Sequence, residues 1–254
     1  MEQYIELQGW KLYTEYYQTN GTKETLVFLH DAWGCVDMWG ETPHILAEKL
    51  NVNILLYDRV GHGKSETVYY ERRPTTFFHD EAKMLIALMD VFKIKKASLF
   101  GFSDGGTISL VAASMFPERI NRLILQSPHT CIEPEGLALV AQITEQAKHN
   151  RLLESLRVYH GENTETMFQH WSRMWSDERF QTWSIIPEIQ QLFCPIIAIR
   201  GEHDKFDTVK QNTTIAEYAK GIVKLALIPD AQHNSCKENQ KVSIDFIVSI
   251  WQSL

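Results

Sequence analysis

The residues with the clearest chemical meaning surround Ser103. The segment Gly101-Phe102-Ser103-Asp104-Gly105-Gly106 follows an apolar run at 97–100 and precedes a stretch of small and apolar residues at 107–113. This is the pattern G-x-S-x-G at a strand-to-helix junction, where a sharp turn holds a serine hydroxyl in an exposed position. The flanking glycines fit a turn that brings neighbouring backbone too close for a Cβ. Ser103 is therefore the first candidate nucleophile.

A serine hydroxyl needs a base, and the base needs an acid that orients it. With this type of turn, the partners come in the order serine, aspartate or glutamate, histidine, and each follows a strand. Asp204 follows the apolar run 195–199, and His233 follows the run 223–228. We predict that Asp204 is the orienting acid and His233 the general base. Three nearby residues are weaker candidates for these roles: Glu202 and Asp207 for the acid, and His203 for the base.

A tetrahedral intermediate needs two backbone N–H donors, and one usually comes from the residue after the nucleophile, here Asp104. The second donor is expected in the loop after the first buried strand, where Ala32 is the main candidate and Trp33 the alternative. His30, in the same loop, is expected to tie the loop to its surroundings rather than to do chemistry. Asp31 and Asp104 bring two carboxylates near the developing negative charge. We expect both side chains to point away or to be hydrogen-bonded.

Short apolar runs recur along the chain, and continuous runs of this kind suit strands buried on both faces of a sheet. They cover residues 25–29, 53–57, 97–100, 122–125, 195–199 and 223–227. Helix-patterned stretches lie between them, for example at 77–92 and 107–116, which indicates β-α-β-α order and a mostly parallel sheet. Residues 5–17 alternate roughly between apolar and polar, and we expect an antiparallel lead-in interrupted at Gly9.

The regular alternation stops between about residues 130 and 188, where aromatic residues appear at helical spacing. We interpret this region as a helical cap, residues 129–188, inserted into a core domain formed by residues 1–128 and 189–254. Its aromatic side chains either pack the cap or form the walls of a substrate pocket. The predicted pocket residues are Trp33, His129, Tyr159, Trp171 and Trp175, with His160 as a further candidate.

Composition excludes several classes of protein. The 254 residues carry a net charge of -7, which argues against nucleic acid or an anionic membrane surface as a partner. A signal sequence and a membrane-spanning run are both absent from the pattern, so a soluble cytoplasmic protein is expected. The four cysteines lack C-x-x-C spacing, and the usual nucleotide-binding and zinc motifs do not occur. We expect a small-molecule substrate, no cofactor and no metal, and leave a homodimer open.

With these residues identified, nearly the whole chain resembles an α/β-hydrolase-fold protein. Tyr57 to Ser65 matches the D-x-x-G-x-G-x-S turn of that fold, and Ser103-Asp104-Gly105-Gly106 resembles the S-D-G-G turn of the valacyclovir hydrolase-like group. The same branch includes C–C bond hydrolases of aromatic degradation and the menaquinone-pathway synthase. The closest pattern is that of uncharacterised members that share Ser127-Pro128-His129. Asp31 departs from the family, because most relatives have glycine there. The resemblance implies an eight-stranded, mostly parallel sheet with helices on both faces and a helical cap.

These features predict a cofactor-independent serine hydrolase of a small carboxylic ester, a thioester or a β-diketone-like C–C bond. Two other functions stay open. A lyase or synthase of the menaquinone type would use arginines to bind substrate carboxylates, and Arg157, Arg173 and Arg179 in the cap are the candidates. A ligand receptor that retains the three site residues would bind a small molecule without turnover.

The two candidate acids can be separated by substitution. Loss of the acid beside the imidazole leaves the histidine in the wrong tautomer, so Asp204→Asn should lower kcat by roughly 10³- to 10⁴-fold. Asp207→Asn should cost less than about tenfold, because a carboxylate at a helix start contributes at most about 1 kcal/mol. Measurement of kcat for both variants identifies the orienting acid. A larger loss of kcat in Asp207→Asn than in Asp204→Asn would assign the role to Asp207.

Overall fold

Eight strands form one sheet in the computed structural model, which describes residues 1–19, 21–22, 24–69, 72–206 and 208–254. The strands are β1 (Glu2–Leu7), β2 (Trp10–Tyr17), β3 (Thr25–Leu29), β4 (Asn53–Tyr57), β5 (Ala97–Phe102), β6 (Ile120–Gln126), β7 (Ile196–Gly201) and β8 (Val223–Ile228). Their spatial order is β1-β2-β4-β3-β5-β6-β7-β8. The β1–β2 and β2–β4 pairs are antiparallel, and every pair from β4 to β8 is parallel. The predicted eight-stranded, mostly parallel sheet is confirmed.

The antiparallel lead-in consists of β1 and β2, which pair as a hairpin over the whole length of β1. Gln8 and Gly9 form its turn, and both have positive φ values, of 51° and 85°. Two successive residues with positive φ are typical of the tight turns whose twist matches that of paired strands. The predicted interruption at Gly9 is therefore the hairpin turn.

The central strands separate two hydrophobic cores. Successive side chains of a strand point to opposite faces, so Val27 and Leu29 of β3 enter one core and Leu26 and Phe28 enter the other. All five residues of β3 are buried, as a strand covered on both faces requires.

Strand β8 differs from the other predicted runs. It is the last strand of the sheet and pairs with β7 alone among the described strands. Lys224, Leu225 and Leu227 are exposed. The prediction of a strand buried on both faces is wrong for residues 223–227, because solvent reaches a strand at the edge.

Helices cover both faces of the sheet. They are α1 (Thr42–Leu50), α2 (Phe77–Val91), α3 (Asp104–Met115), α4 (Pro134–Gln146), α5 (Leu152–His160), α6 (Asn163–Ser176), α7 (Ile186–Ile189), α8 (Lys210–Tyr218), α9 (Ser235–Glu238) and α10 (Gln240–Trp251). The predicted helices at 77–92 and 107–116 correspond to α2 and α3. Helices α2 and α3 pack in the core that contains Val27, and α1 and α10 pack in the core that contains Phe28.

Helices α4 to α7 are inserted between β6 and β7, and we call them the cap helices. Their connection to the sheet includes His160 and Asn163. The side-chain amide of Asn163 donates to the carbonyl oxygens of Gly63 and Ser65, at 3.2 and 2.9 Å. The Nδ1 atom of His160 accepts the Gly63 N–H at 2.8 Å, and its Nε2 lies 2.7 Å from the Trp33 carbonyl oxygen. The cap helices are thereby joined to the turn after β4 and to the loop after β3.

Across the described ranges, none of the helices has both the length and the apolar character needed to cross a bilayer.

Candidate active site

The turn between β5 and α3 holds Ser103 in a strained backbone conformation. Its φ of 53° and ψ of -118° lie outside the regions that residues with a Cβ normally adopt. A Cβ on Gly101 would overlap the Gly105 carbonyl, and a Cβ on Gly105 would overlap the Leu29 carbonyl. The two glycines of G-x-S-x-G therefore allow β3, β5 and α3 to approach closely around the serine.

His233 and Asp204 reach this turn from neighbouring strands. Asp204 follows β7 and His233 follows β8, so both lie at the edge of the sheet where the parallel strands end. The Nε2 atom of His233 lies 3.1 Å from Ser103 Oγ, and its Nδ1 lies 2.9 Å from Asp204 Oδ2. The three side chains form one continuous hydrogen-bonded chain.

The charge on Asp204 is stabilised by its neighbours. Burial raises the pKa of this carboxyl, but hydrogen bonding and charge interaction with His233, together with the nearby Arg200, outweigh burial and lower it to about 2. The backbone N–H of Phe206 also donates to Asp204 Oδ1, at 3.0 Å. An ionised Asp204 fixes the proton of His233 on Nδ1, which leaves Nε2 free to accept a proton from the serine.

The weaker candidates for these roles lie elsewhere. Glu202 and His203 are exposed. Asp207 lies outside the described residues, so its comparison with Asp204 stays a prediction.

Buried side chains hold the carbonyl groups of the loop after β3. Arg59 donates through Nη2 to the Asp31 carbonyl oxygen at 2.8 Å, and His62 Nε2 lies 3.1 Å from that of Ala32. The Trp33 carbonyl faces His160, as described above. These contacts fix three successive peptide groups beside Ser103.

The two predicted oxyanion donors lie at this part of the site. Ala32 lines the same cavity as Ser103, and the Asp104 amide is the first of α3, where helix amides have no acceptor within the helix. His30 ties the loop to the turn after β4: its Nε2 accepts the Arg59 N–H at 3.0 Å, and its Nδ1 lies 2.8 Å from the Asp31 carbonyl oxygen.

Two adjoining cavities open at these residues. The one that contains Ser103, here called the Ser103 cavity, is lined by Asp31, Ala32, Trp33, Phe102, Ser103, His129, Trp171, Phe206, Gln232, His233, Asn234 and Glu238. The second, here called the apolar cavity, has a volume of about 30 Å³ and is lined by His129, Cys131, Ile132, Glu133, Gly136, Leu137, Val140, Trp171, Trp175 and Phe206. The shared residues His129, Trp171 and Phe206 form the boundary between the two.

The structure brings four of the five predicted pocket residues together. Trp33, His129 and Trp171 line the Ser103 cavity, and Trp175 lines the apolar cavity. Tyr159 is 40% exposed at the end of α5 and lines neither cavity. Helical spacing identified the aromatic face of the cap, but it did not show which side of α5 faces solvent. Its neighbour His160 joins the cap to the sheet instead of lining the pocket.

Sequence reasoning missed Phe206, whose ring centroid lies 4.5 Å from that of His233. The sequence could have indicated Phe206, because it lies two residues after Asp204, the predicted acid. It also missed a direct contact of His129, whose Nε2 lies 3.1 Å from Ser103 Oγ. Two imidazoles therefore contact the same hydroxyl oxygen.

The two unexpected carboxylates are both close to Ser103. Asp31 lines the Ser103 cavity, and its φ is not positive, so this loop does not need the glycine that relatives have. Burial raises the pKa of the Asp31 carboxyl and outweighs the nearby positive charges of His233 and Arg59. The Asp104 side chain is fully buried, and neither of its carboxylate oxygens has a hydrogen-bond partner in the described part of the chain. Of the two alternatives expected for Asp104, hydrogen bonding of its carboxylate is therefore not found, and the other, that the side chain points away, stays a prediction.

Comparison with known proteins identifies the family. The family model described as alpha/beta hydrolase fold matches residues 24–178, which is more than half of the chain. This chain belongs to the alpha/beta hydrolase fold family.

Characterised relatives of this family share most of the chain's length. Human serine hydrolase BPHL is 26% identical over 208 residues, which cover 76% of this chain and 69% of that protein. The 2-hydroxy-6-oxononadienedioate/2-hydroxy-6-oxononatrienedioate hydrolase of Comamonas testosteroni is 23% identical over 238 residues, or 84% of this chain and 79% of the relative. The solved enol-lactonase from Burkholderia xenovorans LB400 shares the fold, with a TM-score of 0.77, 20% identity, and coverage of 99% of this chain and 100% of that one. The chain is an enzyme, and its function is that of a hydrolase.

Proposed function

We propose that this enzyme is a cofactor-independent serine hydrolase that cleaves small, uncharged carboxylic esters through an acyl-enzyme on Ser103. The observation that carries the proposal is the unbroken hydrogen-bonded chain from Ser103 Oγ to His233 and on to Asp204, with heavy-atom distances of 3.1 and 2.9 Å. Nucleophile, base and orienting acid are each within hydrogen-bonding distance of the next, as nucleophilic catalysis requires.

In this proposal His233 Nε2 takes the Oγ proton as Oγ attacks the ester carbonyl carbon. The amides of Ala32 and Asp104 stabilise the negative oxygen of the tetrahedral intermediate. His233 then returns the proton to the departing alcohol. A water molecule attacks the acyl-enzyme by the same route, and its proton passes through His233 to Oγ as the carboxylic acid leaves. Asp204 stays ionised and holds the imidazole in the required orientation.

The charge of the Ser103 cavity supports an uncharged substrate. Its described lining includes the carboxyl groups of Asp31 and Glu238 and contains neither lysine nor arginine. A substrate carboxylate placed here would lose hydration beside two carboxyl groups and gain no lysine or arginine partner from the described lining, which is unfavourable. The relative from Comamonas testosteroni is named for a dicarboxylate, and among the described residues that line this cavity there is no lysine or arginine to bind such a substrate.

The same argument disfavours a synthase of the menaquinone type. The three candidate arginines of the cap, Arg157, Arg173 and Arg179, are exposed and line neither cavity. Arg157 pairs with Glu165 and Arg179 with Asp177. Two of the three arginines are therefore neutralised by surface carboxylates and not directed at a substrate.

The apolar cavity supports a hydrocarbon group on one side of the ester bond. It lies under the cap helices and adjoins His129, which contacts the nucleophile. Ile132, Leu137 and Val140 contribute apolar surface to its wall. Burial of apolar surface contributes about 25 cal/mol per Å², so the small apolar end of an acyl or alkyl group would gain binding energy here.

Replacement of the nucleophile tests the reaction. Ser103→Ala removes a small hydroxyl from a turn and should leave the melting temperature close to that of the wild type. Hydrolysis of p-nitrophenyl butyrate should fall by about 10⁴- to 10⁶-fold, because the attacking group is lost. A variant that keeps more than about a tenth of the wild-type kcat would show that another residue is the nucleophile. A wild-type protein that binds esters without turnover would instead support the receptor function.

Two esters of equal acyl length test the substrate class. p-Nitrophenyl butyrate is uncharged, whereas mono-p-nitrophenyl succinate carries a terminal carboxylate. We expect kcat/KM to be at least about tenfold higher for the butyrate, because the succinate carboxylate would lose its hydration in a cavity whose described lining offers neither lysine nor arginine as a partner. Asp31→Asn removes one of the two carboxyl groups of the cavity and should reduce that ratio, with both esters measured on the same variant. Equal or faster hydrolysis of the succinate ester would contradict the uncharged substrate class.

A further inference from the structure

Ser103 Oγ has two histidine neighbours, and only one is explained by the proposed function. The Nε2 atoms of His233 and His129 both lie 3.1 Å from Oγ. The two rings are nearly parallel, at 22°, with centroids 6.2 Å apart. A serine hydroxyl has one proton to donate and lone pairs to accept, so the two imidazoles cannot have the same role.

The proton positions follow from the contact with Asp204. His233 Nδ1 faces the ionised carboxylate at 2.9 Å and must carry a proton to donate to it. A neutral His233 therefore has a bare Nε2, which accepts the proton of Ser103 Oγ. The remaining partner of Oγ must be a donor, so His129 carries its proton on Nε2 and donates it to Oγ.

Hydrogen bonds from Thr107 to the backbone of His129 fix the position of this residue. Thr107 of α3 is fully buried, and its hydroxyl accepts the His129 N–H at 3.1 Å and donates to the His129 carbonyl oxygen at 2.8 Å. Two residues earlier, Ser127 adopts a φ of 46°, which is unusual for a residue with a Cβ. Strain of this kind persists where the surrounding structure enforces it, and it is frequent at functional sites. The His129 ring also packs edge-on against Trp175, at 5.5 Å between centroids.

We propose that His129 is a second catalytic histidine, which donates an N–H hydrogen bond to Ser103 Oγ. This inference rests on the serine hydrolase function proposed above. In the free enzyme the bond directs the Oγ proton toward His233. During deacylation the bond stabilises Oγ as the group that leaves the acyl carbon.

The proton balance of deacylation keeps the two histidines distinct. Water attacks the acyl carbon and gives one proton to His233 Nε2. The bond between the acyl carbon and Ser103 Oγ then breaks, its electron pair goes to Oγ, and His233 returns the proton to Oγ. The N–H of His129 stays on His129 throughout and offsets part of the negative charge that develops on Oγ. Acylation gains less from this bond, because Oγ acts there as the nucleophile and a donated hydrogen bond withdraws electron density from it.

Three substitutions at one position test the role. His129→Gln places an amide N–H at about the reach of imidazole Nε2, whereas His129→Asn has the same group but is too short to contact Oγ. His129→Leu removes the donor. Stopped-flow measurements with p-nitrophenyl acetate give acylation as the burst of p-nitrophenol and deacylation as the steady rate. In the Leu and Asn variants deacylation should slow by about 10- to 100-fold, and by a larger factor than acylation. The Gln variant should recover most of the wild-type deacylation rate.

The Gln and Asn variants are matched in polarity, so a shared loss of folding would appear in both melting temperatures. The inference is overturned if acylation and deacylation slow by the same factor, if Asn restores deacylation as well as Gln, or if Leu leaves deacylation unchanged. A wild-type enzyme that turns over the ester without an acyl-enzyme on Ser103 would instead refute the proposed function itself.

Discussion

The strained backbone at Ser103 is the constraint on which the site depends. A φ of 53° is unfavourable for serine, and the fold maintains it because β5 and α3 meet at glycines that let backbone pack against backbone. The turn places Oγ at the end of the sheet and leaves the first amide of α3 without an acceptor in the helix. The proposed nucleophile and one of the two proposed oxyanion donors therefore come from the same short segment.

Parallel strands bring the other groups to this turn. The strands from β3 to β8 all end at the same edge of the sheet, so the residues that follow them become neighbours although they are far apart in the chain. Asp204 follows β7, His233 follows β8, His129 follows β6, and the loop with Ala32 follows β3. The cap helices cover the site, where Trp171 of α6 lines both cavities. His160 connects these helices to the loop after β3. The geometry of the site therefore depends on the pairing of the strands in the sheet.

The parts of this arrangement that depend on local pattern could be predicted from the sequence. The glycines around Ser103 predict the turn. The order of Asp204 and His233 follows from the strands that precede them. The contact of His129 with Oγ could not be predicted, because it depends on the backbone of the preceding turn and on the register of β6 against β5. The exposure of Tyr159 depends on how α5 is rotated against the core, and spacing alone does not fix that rotation. The exposed side of β8 follows from its place at the edge, which the run 223–227 does not reveal.

Covalent trapping of the nucleophile tests the central claim most directly. A small p-nitrophenyl alkylphosphonate reacts with an activated serine and leaves a stable phosphonyl group on Oγ, which peptide mass spectrometry can locate. The account predicts one phosphonyl group per chain, on Ser103, formed at least about 100-fold more slowly when His233 is replaced by alanine. Modification of a different residue, or ester turnover by a protein that the reagent does not modify, would contradict it.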